Sequence, residues 1–226
     1  MAQKLNYQQI IQGISSPRLT YFQKSTNTET MREYAKNIKL AEATYPILQQ
    51  LEIVLRNQWE IVLIHKYGTQ WYQNTQFYNS LDQIAQKKLT EATLEAQKHR
   101  QHIQSGNIVS ELTFGFWTSL FGKRYEPALW RPYSHILFPN CQPSQRNIHN
   151  IRNDLTRVRK LRNRVAHHEP INKQPLELWS RYETIVKLLE WMNPDVAYWL
   201  VSSKCDRFPS VFNAIFNPKP RKRKTP

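Results

Sequence analysis

Glycine is scarce in this chain, five residues in 226. That argues against a turn-rich β fold and against a glycine-rich phosphate loop, both of which need glycine's conformational freedom at several positions. Cysteine is scarcer still. Cys141 and Cys205 are far apart and sit in no motif, which excludes a disulfide framework or a cysteine-rich zinc site. They read as reduced structural thiols, the state expected in a cytoplasm. No apolar run approaches the roughly 20 residues of a membrane span; Ile61–Ile64 is typical of what there is. No apolar stretch follows Lys4, so a secretory leader is not expected. Acidic residues are few, 17 against 32 lysines and arginines.

The resulting net charge of +15 implies an anionic partner, with nucleic acid the first candidate and a membrane surface the second. Five of those charges lie on Lys219, Arg221, Lys222, Arg223 and Lys224. The body therefore keeps about +10, and the tail alone does not explain the basicity. A 40% hydrophobic content with seven Trp, eleven Tyr and nine Phe is enough to build a core. The length suits one domain, taken here as residues 1–216, followed by a basic, proline-containing tail over 217–226 that is expected to be disordered.

Nearly every patterned segment has helical period, which predicts an all-α bundle with additional helices. A short helix is expected over 3–12, and Ser15-Ser16-Pro17 reads as a turn or a cap. Thr26-x-x-Glu29 is a capping box for a helix to about Ala43. Pro46 marks a break or restart, and Ile47–Tyr67 is a core helix stopped by Gly68. Ser80-x-x-Gln83 caps a helix to about Ile103, and Asn107 caps an aromatic one to Phe121, whose Phe114, Phe116 and Trp117 read as core. Gly122–Gln142, with three prolines, reads as irregular. Pro175 opens a helix to about Met192, ended by Asn193-Pro194, with short helical pieces following to Phe216.

The most informative stretch is Arg162–Pro170, R-N-R-V-A-H-H-E-P, at the end of a helical pattern starting near Ser144. Ile148, Ile151, Leu155, Val158 and Val165 recur at intervals of three and four, and Arg162 falls in the gap. An arginine at a stripe position is costly unless it is paired or faces an anion or a wet cleft. Arg152, Thr156, Arg159, Asn163 and His167 project on a neighbouring face. Pro170 biases the chain out of helix, so the helix is expected to end around His167–Glu169.

Arg162-Asn163 followed by His167 matches the Arg-polar-x-x-x-His pattern of HEPN ribonucleases. The longer string resembles the Abi-like (abortive infection) branch of that superfamily, as do Leu51-Glu52 with Leu55-Arg56-Asn57 and Glu111–Phe121. The resemblance covers roughly residues 15–195. It implies a HEPN-like helical bundle and a metal-independent endoribonuclease without cofactors, acting in phage defence or as a toxin. It further implies a homodimer that brings two motif copies into one basic cleft, with products ending in a 2′,3′-cyclic phosphate and a 5′-hydroxyl. Arg162, Asn163 and His167 are then the catalytic positions. His168, Arg164, Arg159, Arg152 and Arg56 are the expected substrate contacts. The chemistry suits the residues: imidazole moves protons near neutrality, and a guanidinium fork matches phosphate oxygens. Expected partners are RNA and a second copy of the chain but no membrane, with an inhibitor or antitoxin that the sequence does not identify.

Other readings of the same residues stay open. Arg162 pairs with a carboxylate such as Glu52 or Glu111 instead of, or as well as, meeting phosphate. His167 and His168 cap the helix without chemistry. A metal site built on His149, His167 and His168 lacks further ligands. Glu52, Arg56 and Asn57 form a structural polar network. The basic face is that of a non-catalytic nucleic-acid-binding or interaction module.

Overall fold

The computed structural model describes residues 6–98 and 102–217. Twelve α-helices are present among them, joined by short 3-10 and π turns, and no described residue lies in a strand. The chain begins with α1 (Tyr7–Ile14) and α2 (Ser16–Thr20), then enters α3 (Asn27–Tyr67), the longest element. The start of the expected first helix, the residues around 99–101 and the tail from 218 lie outside the described residues.

Helix α3 starts and stops where expected, although among the described residues the Glu29 side chain does not return the second bond of a capping box. Thr26 accepts from the Glu29 amide at 3.2 Å, and Gly68 stops the helix at φ 84°, a conformation that penalises any side chain. The expected break at Pro46 does not occur, and the helix runs straight through it. Proline removes one backbone donor, leaving the Glu42 carbonyl without its usual partner. Both residues line an open cleft rather than the core. The opposite face supplies enough burial to carry the helix past the fault: Leu40, Ile47, Leu51, Leu55, Trp59 and Val62 are at most 2% exposed. Each such side chain contributes about 1.5–3 kcal/mol.

Of the helices that follow, six pack on α3 and three pack mainly elsewhere. After α4 (Thr75–Ser80), which lies against the turn Trp71–Gln73, α5 (Gln83–Lys98) packs on α6 (Ser105–Glu111) and α7 (Phe114–Ser119). These two, with α8 (Arg131–Leu137), α9 (Ile148–Ala166), α10 (Pro175–Met192) and α12 (Phe208–Phe216), pack on α3, while α11 (Pro194–Ser202) packs on α10. Asp82, not Ser80, caps α5, accepting from the Ala85 amide at 2.8 Å. The single aromatic helix expected from Asn107 to Phe121 is two, α6 and α7, parted at Leu112-Thr113. Asn107 lies inside α6 and accepts from the Gln104 amide at 3.0 Å. The aromatic residues themselves are core, as read: Phe114, Phe116, Trp117 and Phe121 are at most 2% exposed. The segment expected to be irregular, Gly122–Gln142, is largely helical, with turns over Lys123–Tyr125 and Glu126–Trp130 before α8. Its prolines sit near turn starts, where the missing N–H is harmless. Asn193-Pro194 ends α10 and also starts α11, with Asn193 accepting from the Val196 amide at 3.1 Å.

Candidate functional site

Helix α9 carries the motif. Ile151, Leu155, Val158, Leu161 and Val165 are its buried residues. Leu161, fully buried, fills the position that the sequence pattern assigned to Arg162. The reason is geometric: residues three and four beyond Val158 are both close to the stripe, and the apolar one goes in. Arg162 is displaced to the flank, with its side chain 39% exposed, so burial does not force it to be neutralised.

The helix ends at Ala166 with a Schellman arrangement. His167 N–H donates to Asn163 O at 2.8 Å, His168 N–H to Val165 O at 3.1 Å and Glu169 N–H to Arg164 O at 2.8 Å, which satisfy three of the last carbonyls. The left-handed position of this motif normally belongs to glycine. Here His168 occupies it at φ 57°. Side chains of α2, α3 and α9 hold the segment that follows. Arg18 donates from Nη1 to His168 O at 2.8 Å, and the Ile171 amide donates to Oδ1 of the buried Asn37 at 2.7 Å. Arg164 pairs with Glu169 at 3.7 Å.

Between α3, the end of α9 and Arg207 lies a cleft of about 1030 Å³. Arg162, Glu52, Arg56 and His168 are among the residues lining it. Arg162 Nε sits 3.4 Å from Glu52 Oε2. Glu52, rather than Glu111, is therefore the carboxylate partner. Arg56 follows Glu52 by one turn of α3; its Nε is buried without a hydrogen-bond partner, and no acid pairs with it among the described residues. Arg207 is neutralised by Glu42 at 2.5 Å. The cleft thus holds three arginines against two carboxylates, and Arg56 is the unmatched cation. Asn57 is exposed and joins no network with Glu52 and Arg56 among the described residues.

The structure does not gather all the expected site residues. Arg162, Arg56 and His168 share the cleft lining, whereas Asn163, Arg164 and His167 are exposed and lie outside it. Arg152 and Arg159 lie further along α9, the first exposed and the second half-buried. With Arg157 and Lys160 they form a face without acidic partners among the described residues, since the helix's one acid, Asp154, is bound to Lys187 at 2.7 Å. Sequence reasoning missed Arg18, Asn37 and the cleft's apolar rim, Ile38 and Tyr45, which are 50% and 60% exposed. A repeat of Ile38, Tyr45, Glu52 and Arg56 along one flank of α3 was available as a signal, but Pro46 obscured it by suggesting two helices.

No described group of three His, Cys, Asp or Glu side chains is placed to hold a metal ion, and no described helix is long and apolar enough to cross a membrane. The groups whose titration burial displaces lie outside the cleft lining: Lys66 is lowered, while Tyr67, Tyr125, Tyr182 and the Cys141 thiol are raised. The chain matches no protein-family model, and no curated protein or solved structure is significantly similar to it.

Proposed function

We propose that the protein is a metal-independent endoribonuclease of the Abi-like HEPN kind, whose α9 motif and α3 cleft act on an RNA phosphodiester. The observation that carries this reading is a half-exposed Arg162, braced by Glu52, sharing a cleft with an unneutralised Arg56 and with His168. In the reaction the RNA's own 2′-oxygen attacks the adjacent phosphorus as an imidazole takes the 2′-hydroxyl proton. The bond from phosphorus to the 5′-oxygen breaks, and that oxygen receives a proton from an imidazolium. A 2′,3′-cyclic phosphate and a 5′-hydroxyl remain. The guanidinium groups balance the negative charge added at phosphorus, an effect worth about 2.7–4 kcal/mol per well-placed donor.

One imidazole would have to serve both proton transfers, so two copies of the motif facing one another suit the chemistry better. The exposed Ile38 and Tyr45 at the cleft rim offer the apolar surface that a second copy would cover. His167, exposed at the end of α9, then completes the site with Asn163. The unpaired cations of α9 lead RNA towards the cleft. A role in phage defence or as a cytoplasmic toxin is part of the same proposal.

The test is incubation of purified protein with RNA in EDTA. Wild type cleaves, and Arg162→Ala and His167→Ala do not, although both remain folded. Cleavage by His167→Ala at the wild-type rate refutes that residue's assignment. A second reading, an RNA- or DNA-binding module without catalysis, is favoured by the placing of Asn163 and His167 outside the cleft lining. It predicts salt-sensitive binding with no products at high protein concentration.

A further inference from the structure

Glu52 stands on the phosphate-binding wall of a cleft proposed to attract anions, where a carboxylate opposes binding. It is also the group nearest Arg162, with Oε2 3.4 Å from Nε and its own side chain 23% exposed. We infer that Glu52 is a positioning residue: it holds Arg162 by Nε so that the terminal nitrogens present end-on to the scissile phosphate. This rests on the ribonuclease reading and deepens it.

A guanidinium has five donors in a rigid plane and can receive a phosphate along the Nε side or across its two terminal nitrogens. A carboxylate at Nε blocks the first mode and leaves the second. Among the described residues, no hydrogen bond occupies the terminal nitrogens of Arg162, and Glu52 faces Nε as a charge at 3.4 Å rather than as a hydrogen-bond acceptor. Arg56 stands one turn further along the same face of α3, its Nε buried without a hydrogen-bond partner and with no acid paired to it among the described residues. One arginine is therefore paired with an acid and the other is not, while both line the same cleft. A phosphate placed between them meets two forks and one carboxylate, for a net charge of one positive unit on the protein side.

The consequence is a split between binding and turnover. Removing the carboxylate takes a like charge away from the substrate, so affinity improves. It also frees the long Arg162 side chain, and misplacement of a catalytic group by about 1 Å costs up to about 100-fold. A residue that merely supports the fold would weaken binding and turnover together and lower the melting temperature.

The experiment compares wild type, Glu52→Gln and Glu52→Ala. Binding is measured with a 2′-deoxy oligonucleotide, which cannot be cut, and single-turnover cleavage with the matching RNA. Expected are about 3-fold tighter binding in both variants, about 100-fold slower cleavage for Glu52→Ala, and a smaller loss for Glu52→Gln. The Gln amide keeps a polar oxygen beside Nε but not the charge. Unchanged cleavage in both variants, with wild type active, overturns the inference and leaves the ribonuclease reading intact. So do parallel losses of binding, cleavage and melting temperature. If wild type cuts no RNA, the ribonuclease reading falls and the catalytic part of the inference falls with it; unchanged binding by the Glu52 variants would then remove Glu52 from an anion site altogether.

Discussion

His168→Gly separates a role in the fold from a role in the cleft. The residue adopts φ 57°, where an L side chain pays about 1–2 kcal/mol, although His tolerates the region better than most. Glycine removes that strain but costs about 0.5–1 kcal/mol in extra backbone freedom when unfolded. The contact from Arg18 is to the His168 carbonyl, so glycine keeps it. The net change in stability is within about 1 kcal/mol, which for a domain of this size is a shift of about 2–4 °C in Tm. His168→Ala keeps the strain without the imidazole and should melt below the glycine variant by a similar amount. In both variants the cleft loses an imidazole lining it. A hydrogen bond to a charged group is worth about 1.5–3 kcal/mol, so kcat/KM for RNA should fall about 10- to 100-fold. Differential scanning fluorimetry beside a fluorogenic RNA assay reads both quantities. Two results refute the reasoning: a glycine variant as active as wild type, or one that melts lower than the alanine variant.

The ion pair of Arg162 is partly exposed and worth about 0.2–1 kcal/mol, so Arg162→Ala should stay folded in a urea titration while losing cleavage about 100-fold or more. Pro46→Ala restores a backbone donor inside α3 and should raise stability by about 1–2 kcal/mol; a lower Tm would contradict the fault assigned to that turn. Asn37→Leu leaves the Ile171 amide unsatisfied in the interior, for a loss of about 1–3 kcal/mol and faster amide exchange at Ile171. Tyr182 donates to Asp206 at 2.5 Å, and burial raises its pKa above the ordinary value. A raised phenol keeps its proton in the folded state while the unfolded chain loses it. Its contribution is therefore fully present below about pH 10 and should decline as pH rises above that, with a shallower decline in Tyr182→Phe.

Helical period and end signals made the all-α architecture legible from the residues. Thr26, Gly68, Pro175 and Asn193 act locally, through hydrogen bonds within a few positions, so their reading survives without tertiary information. Pro46 misled because its local cost is real but is outweighed by burial along the far side of a 41-residue helix. Leu112-Thr113 split a helix for the converse reason, with no local breaker present. At the site, periodicity placed Arg162 near the apolar stripe but could not decide between it and Leu161, a difference of one residue settled by packing. The pairing with Glu52 was one of two partners foreseen. That His168 rather than His167 lines the cleft depends on the left-handed turn after Ala166, which no periodic pattern encodes. Arg18 and Asn37 act from more than 130 positions away and leave no trace in the neighbouring sequence.

The central claim is that the α9 motif cuts RNA by transesterification, and mapping the ends left in RNA after induction of wild type and of His167→Ala tests it most directly. Wild type should generate new fragments ending in a 2′,3′-cyclic phosphate and beginning with a 5′-hydroxyl, and the variant should generate none. Identical end profiles from the two proteins, or fragments bearing a 3′-hydroxyl and a 5′-phosphate, would contradict it.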